Sequence, residues 1–140
     1  MGNTLLIGSC EPFSGKSALV LGLARHLLSE GRTVRFGKPL ATSLEWTAKG
    51  SPLPDPLIDD DVRFVGTTLG IDETRLIPSL HLLSPETADT RLRQGNLDAG
   101  TGLEMLLNDL QNDQDSFTML EAAGSLHEGL MYGLSLVQLA

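Results

Sequence analysis

The chain has a single cysteine, Cys10, so no disulfide can form within it. That usage fits a reducing, cytoplasmic setting. Positive charge is also scarce: 10 lysines and arginines stand against 18 acidic residues, a formal net charge of −8. A general nucleic-acid binder needs a basic stripe to neutralise phosphates, and this balance argues against that class. It leaves room for one bound polyphosphate, because a backbone cradle and one or two lysines act locally. No run reaches the roughly 18 consecutive apolar residues that a membrane span requires. The N-terminus does not read as a signal peptide, since Met1 to Thr4 carry no basic group and the following apolar stretch breaks at Gly8. Repeats and low-complexity tracts are absent. No two histidines have metal-ligand spacing, so His26 and His81 read as structural, and His127, close after the Glu121 segment, as a surface group or one supporting the site from outside.

What is present suffices for one domain, residues 1–140, with 41% hydrophobic residues to build a core. Thr4 to Ile7 is a short apolar run, as expected of a central strand buried on both faces. A turn-rich stretch from Gly8 to Gly15 follows. Leu19, Val20, Leu23, Ala24, Leu27 and Leu28 then recur at helical spacing, predicting a helix from Lys16 to Glu30 with Gly31 as its C′ glycine. Thr33 to Phe36 reads as a second strand. Strand, helix and strand in this rhythm predict a right-handed βαβ unit with parallel strands. Leu44 to Ile58 holds Pro52, Pro54 and Pro56 and reads as an irregular surface loop, in which Trp46 packs or covers a site. Asp59, Asp60 and Asp61 can cap a helix through Leu69, stopped by Gly70. Residues 71–97 are mixed, with an apolar run from Leu80 to Leu83. A helix is predicted over Gly102 to Leu110 and a buried strand over Phe117 to Leu120, leading into Glu121. The tail from Ser125 to Ala140 is apolar; exposed, it favours self-association.

The most specific feature is the quartet Ser14, Gly15, Lys16 and Ser17, set between an apolar strand and an amphipathic helix. A glycine-containing loop lets successive backbone N–H groups converge on phosphate oxygens. The helix N-terminus adds partial positive charge, the lysine reaches the β- and γ-phosphates, and the serine hydroxyl can ligate Mg²⁺. Cys10 stands where the usual pattern opens with glycine, and Gly8 lies two residues earlier. Four such residues also occur by chance in surface turns; the strand before and the helix after favour phosphate binding. Cys10 reads as a small residue in a tight turn, since no second sulfur or base accompanies it.

Three segments, Gly8 to Ser17, Phe36 to Thr42 and Leu120 to Gly124, fall in the order and approximate spacing of dethiobiotin synthetase. The chain resembles still more closely the dethiobiotin-synthetase-like N-terminal domain of phosphate acetyltransferases, a group related to cobyrinic acid a,c-diamide synthase. An acid at Glu11, where chromosome-partitioning ATPases carry a second lysine, sets it apart from those proteins. The resemblance implies an α/β fold of P-loop NTPase type, a three-layer parallel sheet with flanking helices. The family fold is longer, which implies that these residues are its N-terminal part, truncated at the C-terminal end. ATP and Mg²⁺ are the implied cofactors, and a homodimer the implied assembly. Residue by residue, it implies that Glu11 is the cradle's acid and that Ser14, Gly15, Lys16 and Ser17 hold the phosphates. Lys38 would contact substrate and phosphate, Thr42 would take a serine's place beside it, and Ser17, Asp61 and Glu121 would be the magnesium partners.

Part of this constellation makes chemical sense without the family. Mg²⁺ takes hard oxygen ligands and keeps several waters, so one hydroxyl and one or two carboxylates near the phosphates suffice. Glu121 directly follows an apolar strand, at the edge where open parallel sheets bind ligands. The competing readings are ordinary ones: Glu121 as a solvent-facing turn acid, Asp61 as part of a helix cap, Lys38 as an exposed lysine at a strand end. Ala122 and Ser125 stand where the synthetase has glycines that let substrate approach the backbone. The expected function is therefore a nucleotide-binding or regulatory module. The alternative is an ATP-dependent synthetase that phosphorylates a small carboxylate or carbamate, acting on a carboxylate or amine substrate with Lys16 and Lys38 steadying the moving phosphoryl group.

Overall fold

A computed structural model describes residues 3–45, 52–97 and 100–140. It is an α/β fold with a sheet of four parallel strands flanked by helices. The strands β1 (Thr4–Ile7), β2 (Val34–Gly37), β4 (Leu76–Ile77) and β6 (Phe117–Glu121) lie in the order β1-β6-β2-β4. Two shorter strands, β3 (Leu40–Ala41) and β5 (His81–Leu82), pair in parallel as a separate ribbon. Among the described residues no helix is long and apolar enough to cross a membrane.

Side chains alternate across the sheet, and each face meets its own helices. Ile7, Phe36 and Met119 face α1 (Lys16–Ser29) and α2 (Asp60–Leu69), packing on Val20, Ala24, Val62 and Val65. Leu6, Ile77 and Leu120 point the other way and meet Leu106 and Leu110 of α4 (Gly100–Asn112). The remaining helices, α3 (Pro85–Gln94) and α5 (Leu136–Leu139), border a third cluster around Leu40, Ala123, Tyr132 and Leu134.

The punctuation read from the sequence sets these helices. Asp59 caps α2 by accepting the Asp61 N–H, and Gly70 ends it in the left-handed conformation. Gly31, at φ 76°, follows α1, which stops at Ser29 with Glu30 as its cap. The helix predicted over 102–110 runs two residues further at each end, and the second strand is shifted one residue towards Gly37. Over residues 52–58 the chain forms neither helix nor strand, as its prolines dictate. Trp46 lies outside the described residues.

Three expectations need correction. β1 is not buried on both faces: among the described residues it is an edge strand paired with β6 alone, and Thr4 and Leu5 are exposed. The apolar tail is exposed only in part: Leu130, Met131 and Val137 are open to solvent, whereas Tyr132, Leu134 and Ser135 are buried and Leu136 closes over Gly8. Within the mixed region lies a full helix, α3, capped by Ser84 and ended by Gly95. None of its residues is fully buried, so it carries no apolar stripe for a periodicity reading to find.

Two glycine substitutions should separate packing from propensity. A Cβ on Gly37 would sit 2.5 Å from Ile77 Cβ and 2.9 Å from its carbonyl, across the β2–β4 ladder. Gly37→Ala is expected to cost about 1–3 kcal/mol in urea unfolding through overpacking. Gly22, inside α1, has nothing within 4 Å of such an atom. There alanine should add about 0.5–1 kcal/mol through helix propensity.

Candidate functional site

Register brings the candidate residues to one edge of the sheet. Ile7 pairs with Glu121, and Gly37 pairs with Leu120, so the loop after β1, the Glu121 carboxylate and Lys38 emerge side by side. That edge is the C-terminal one, where α1 also begins. Ligands of open parallel sheets bind there.

Gly15 is the N-cap of α1 at φ 89°, a left-handed conformation in which only glycine is unstrained. No side chain caps the helix, and its first turn holds no acidic residue. The N-terminal N–H groups are thus left for another acceptor, and the helix dipole adds to their pull on an anion. Phe13, two residues earlier, also has positive φ, at 56°, and its ring is fully exposed. For a bulky residue that backbone is strained, and such strain persists where surrounding structure fixes it.

Around this loop a cavity of about 680 Å³ opens. Ser14, Gly15, Lys16, Ser17, Lys38, Thr42, Asp61 and Glu121 all line it. Ser17 Oγ lies 3.2 and 3.4 Å from the two Glu121 carboxylate oxygens, joining residues 104 positions apart. Lys16 Nζ donates to Ser9 Oγ at 3.0 Å and to the Gly124 carbonyl at 3.1 Å. Glu11 stands apart: its side chain is exposed and outside the cavity lining, and only its backbone carbonyl takes part, accepting from Ser9 Oγ at 2.6 Å.

Lys38 is not an exposed strand-end lysine. It is 4% exposed, and its Nζ meets Thr42 Oγ1 at 2.6 Å, Asp61 Oδ2 at 3.1 Å and Asp59 Oδ2 at 3.5 Å. Burial works against its charge, but Asp59, Glu121 and Asp61 outweigh that, and its pKa is raised. Asp59 is wholly buried. Besides Lys38 it accepts the N–H groups of Thr42, Ser43 and Asp61 at 2.8, 3.1 and 2.9 Å. The helix cap and the cavity residue are therefore neighbours in one run: Asp59 caps, and Asp61 faces the cavity. Burial pushes the Glu121 carboxyl upward, against the opposing pull of Lys38 and Ser17.

Sequence reasoning did not assign Ser9 or Glu128 to the site, and it read Asp59 only as part of a helix cap. Glu128 lines the cavity and accepts the Ser125 N–H at 3.1 Å. The only signal for it was its nearness to the Glu121 segment. His127 is exposed, as expected of a surface group. His81 is buried and stacks at 5.3 Å on Tyr132, away from the cavity lining. Among the described residues no cluster of three His, Cys, Asp or Glu could hold a metal. Any cation here needs oxygens from Ser17, water or ligand beside Glu121, a donor set that suits Mg²⁺.

Removing Asp59 leaves Lys38 buried without its main counter-charge. Asp59→Ala should cost about 3–5 kcal/mol in denaturant unfolding. The charge on Lys38 stabilises the fold fully below the ordinary lysine pKa of 10.5, and that contribution is lost as pH rises through its raised folded value. The stability gap between the native chain and Lys38→Met should therefore narrow above pH 10.5.

Compared with known proteins, the chain matches no protein-family model and no curated protein.

Proposed function

We propose that this chain is a nucleotide-binding domain of P-loop NTPase type that takes Mg²⁺–ATP and acts as a binding or regulatory module. One observation carries the reading: an uncapped helix N-terminus at Gly15 opens into the cavity that also receives Lys16, Ser17 and Glu121. Backbone N–H groups and Lys16 suit the β- and γ-phosphates. Ser17 and Glu121, already within hydrogen-bond reach, suit a shared cation.

Charge supports the cation as much as geometry does. Lys16 and Lys38 face three carboxylates on the cavity wall, Asp61, Glu121 and Glu128. A bare polyphosphate meets a wall that is net negative once those carboxylates ionise. Mg²⁺ arriving with it offsets both the ligand's charge and that of Glu121, whose ionised form burial disfavours.

Lys38 favours a second reading, an ATP-dependent synthetase acting on a small carboxylate or amine. It is held rigidly at the cavity wall by Asp59, Asp61 and Thr42, as a lysine that stabilises a moving phosphoryl group must be. Ala122, buried at the cavity wall in place of the synthetase's glycine, weighs the other way.

Calorimetry with Mg²⁺–ATP tests the primary reading. The native chain should bind saturably, and Lys16→Ala should bind about 10–100-fold more weakly through loss of a charge-assisted contact. Omitting Mg²⁺ should weaken the native chain as well. Equal binding by both chains, or none by either, rejects the cradle. Turnover that depends on an added carboxylate or amine would move the assignment to the synthetase.

A further inference from the structure

Lys16 lines the proposed phosphate site, yet its ammonium is already engaged with another loop. Nζ holds the Gly124 carbonyl at 3.1 Å, and Ser9 Oγ, itself bonded to Nζ, reaches the same carbonyl at 3.0 Å. On the other side of Gly124, the Ser125 N–H donates to Glu128 Oε2 at 3.1 Å. That oxygen packs so closely on Gly124 that a Cβ there would collide with it. The turn from Gly124 to Glu128 is thus gripped by a cation through its carbonyl and by an anion through its amide. Both gripping groups line the cavity.

A phosphate entering the cavity acts on both grips in the same direction. Its oxygens are charged acceptors and compete for Lys16 more strongly than the neutral Gly124 carbonyl does. Its negative charge repels the Glu128 carboxylate from the shared space. The turn then loses a donor on its carbonyl and an acceptor on its amide together. Directly after it comes the short 3₁₀ turn Leu130–Tyr132, in which Tyr132 is buried while Leu130 and Met131 are 57% and 63% exposed.

We propose that these contacts form a latch that bound nucleotide opens, so that Gly124 to Tyr132 report the state of the phosphate site to the protein surface. This rests on the reading of the cavity as a Mg²⁺–ATP site and names the element through which a regulatory module would signal.

Amide hydrogen exchange on the full chain tests the latch, with Mg²⁺–ATP as the probe. Without nucleotide, Lys16→Met should exchange about fivefold or more faster than the native chain over residues 125–132, while β2 stays protected. Saturating Mg²⁺–ATP should speed the same segment in the native chain and slow residues 10–17. Glu128→Gln, which keeps an acceptor and loses the charge, should stay latched without nucleotide and respond less to it. Protection of 10–17 with no change at 125–132 overturns the latch and leaves the nucleotide reading standing. An unaltered 125–132 segment in Lys16→Met also overturns the latch alone. No protection at 10–17 overturns both.

Discussion

A carboxylate with no solvent exposure has to find partners for both its oxygens, and the way Asp59 does so organises one side of the cavity. One oxygen takes the Asp61 N–H and starts α2; the other takes the Thr42 and Ser43 N–H groups and leans on Lys38. A helix start, the loop after β3 and a buried ammonium are thereby fixed to a single group. With Asp61 and Glu121, it offsets the cost of burying the Lys38 charge. Asp61, two residues on, is turned to the cavity by the same cap. The other side of the cavity, at the start of α1, needs no such anchor, because backbone N–H groups at a helix start are already aimed.

The parts of the fold legible in the sequence were those written in local chemistry. α1 follows from an apolar stripe at helical spacing and its C′ glycine, α2 from the Asp59 cap and Gly70, and β6 from a largely apolar run. The quartet at Ser14 to Ser17 was legible for the same reason, since loop, glycine and helix start are contiguous. β1 was misread because its residues are those of an interior strand while its single partner, β6, is more than 100 residues away in sequence. α3 had its signals, Ser84, Pro85 and Gly95, but no buried face to give it a period. The two-residue strands β3 and β5 are too short to carry any pattern.

The candidate site divides along the same line. Whether Lys38 sits in solvent or in a buried ion network depends on Asp59, which lies well beyond any local window along the chain. Whether Glu121 is a turn acid or a partner of Ser17 depends on register between strands that no short window reveals. Ser9 lies within the Gly8 to Ser17 segment and Glu128 just beyond Glu121, but their roles became visible only once two loops were seen to share the Gly124 peptide.

The acidity of the chain and the chemistry of its cavity bear on one another. A net charge of −8 repels anions at long range, and the cavity itself gathers more carboxylates than ammonium groups. Any attraction of an anion is therefore confined to a few ångströms, where uncapped N–H groups and two lysines line the cavity. A ligand that arrives as a bare polyanion meets repulsion before it meets those donors. One that arrives with a divalent cation carries less charge through the approach. On the proposed reading, acids placed around a short-ranged cradle would disfavour anions that arrive without a cation.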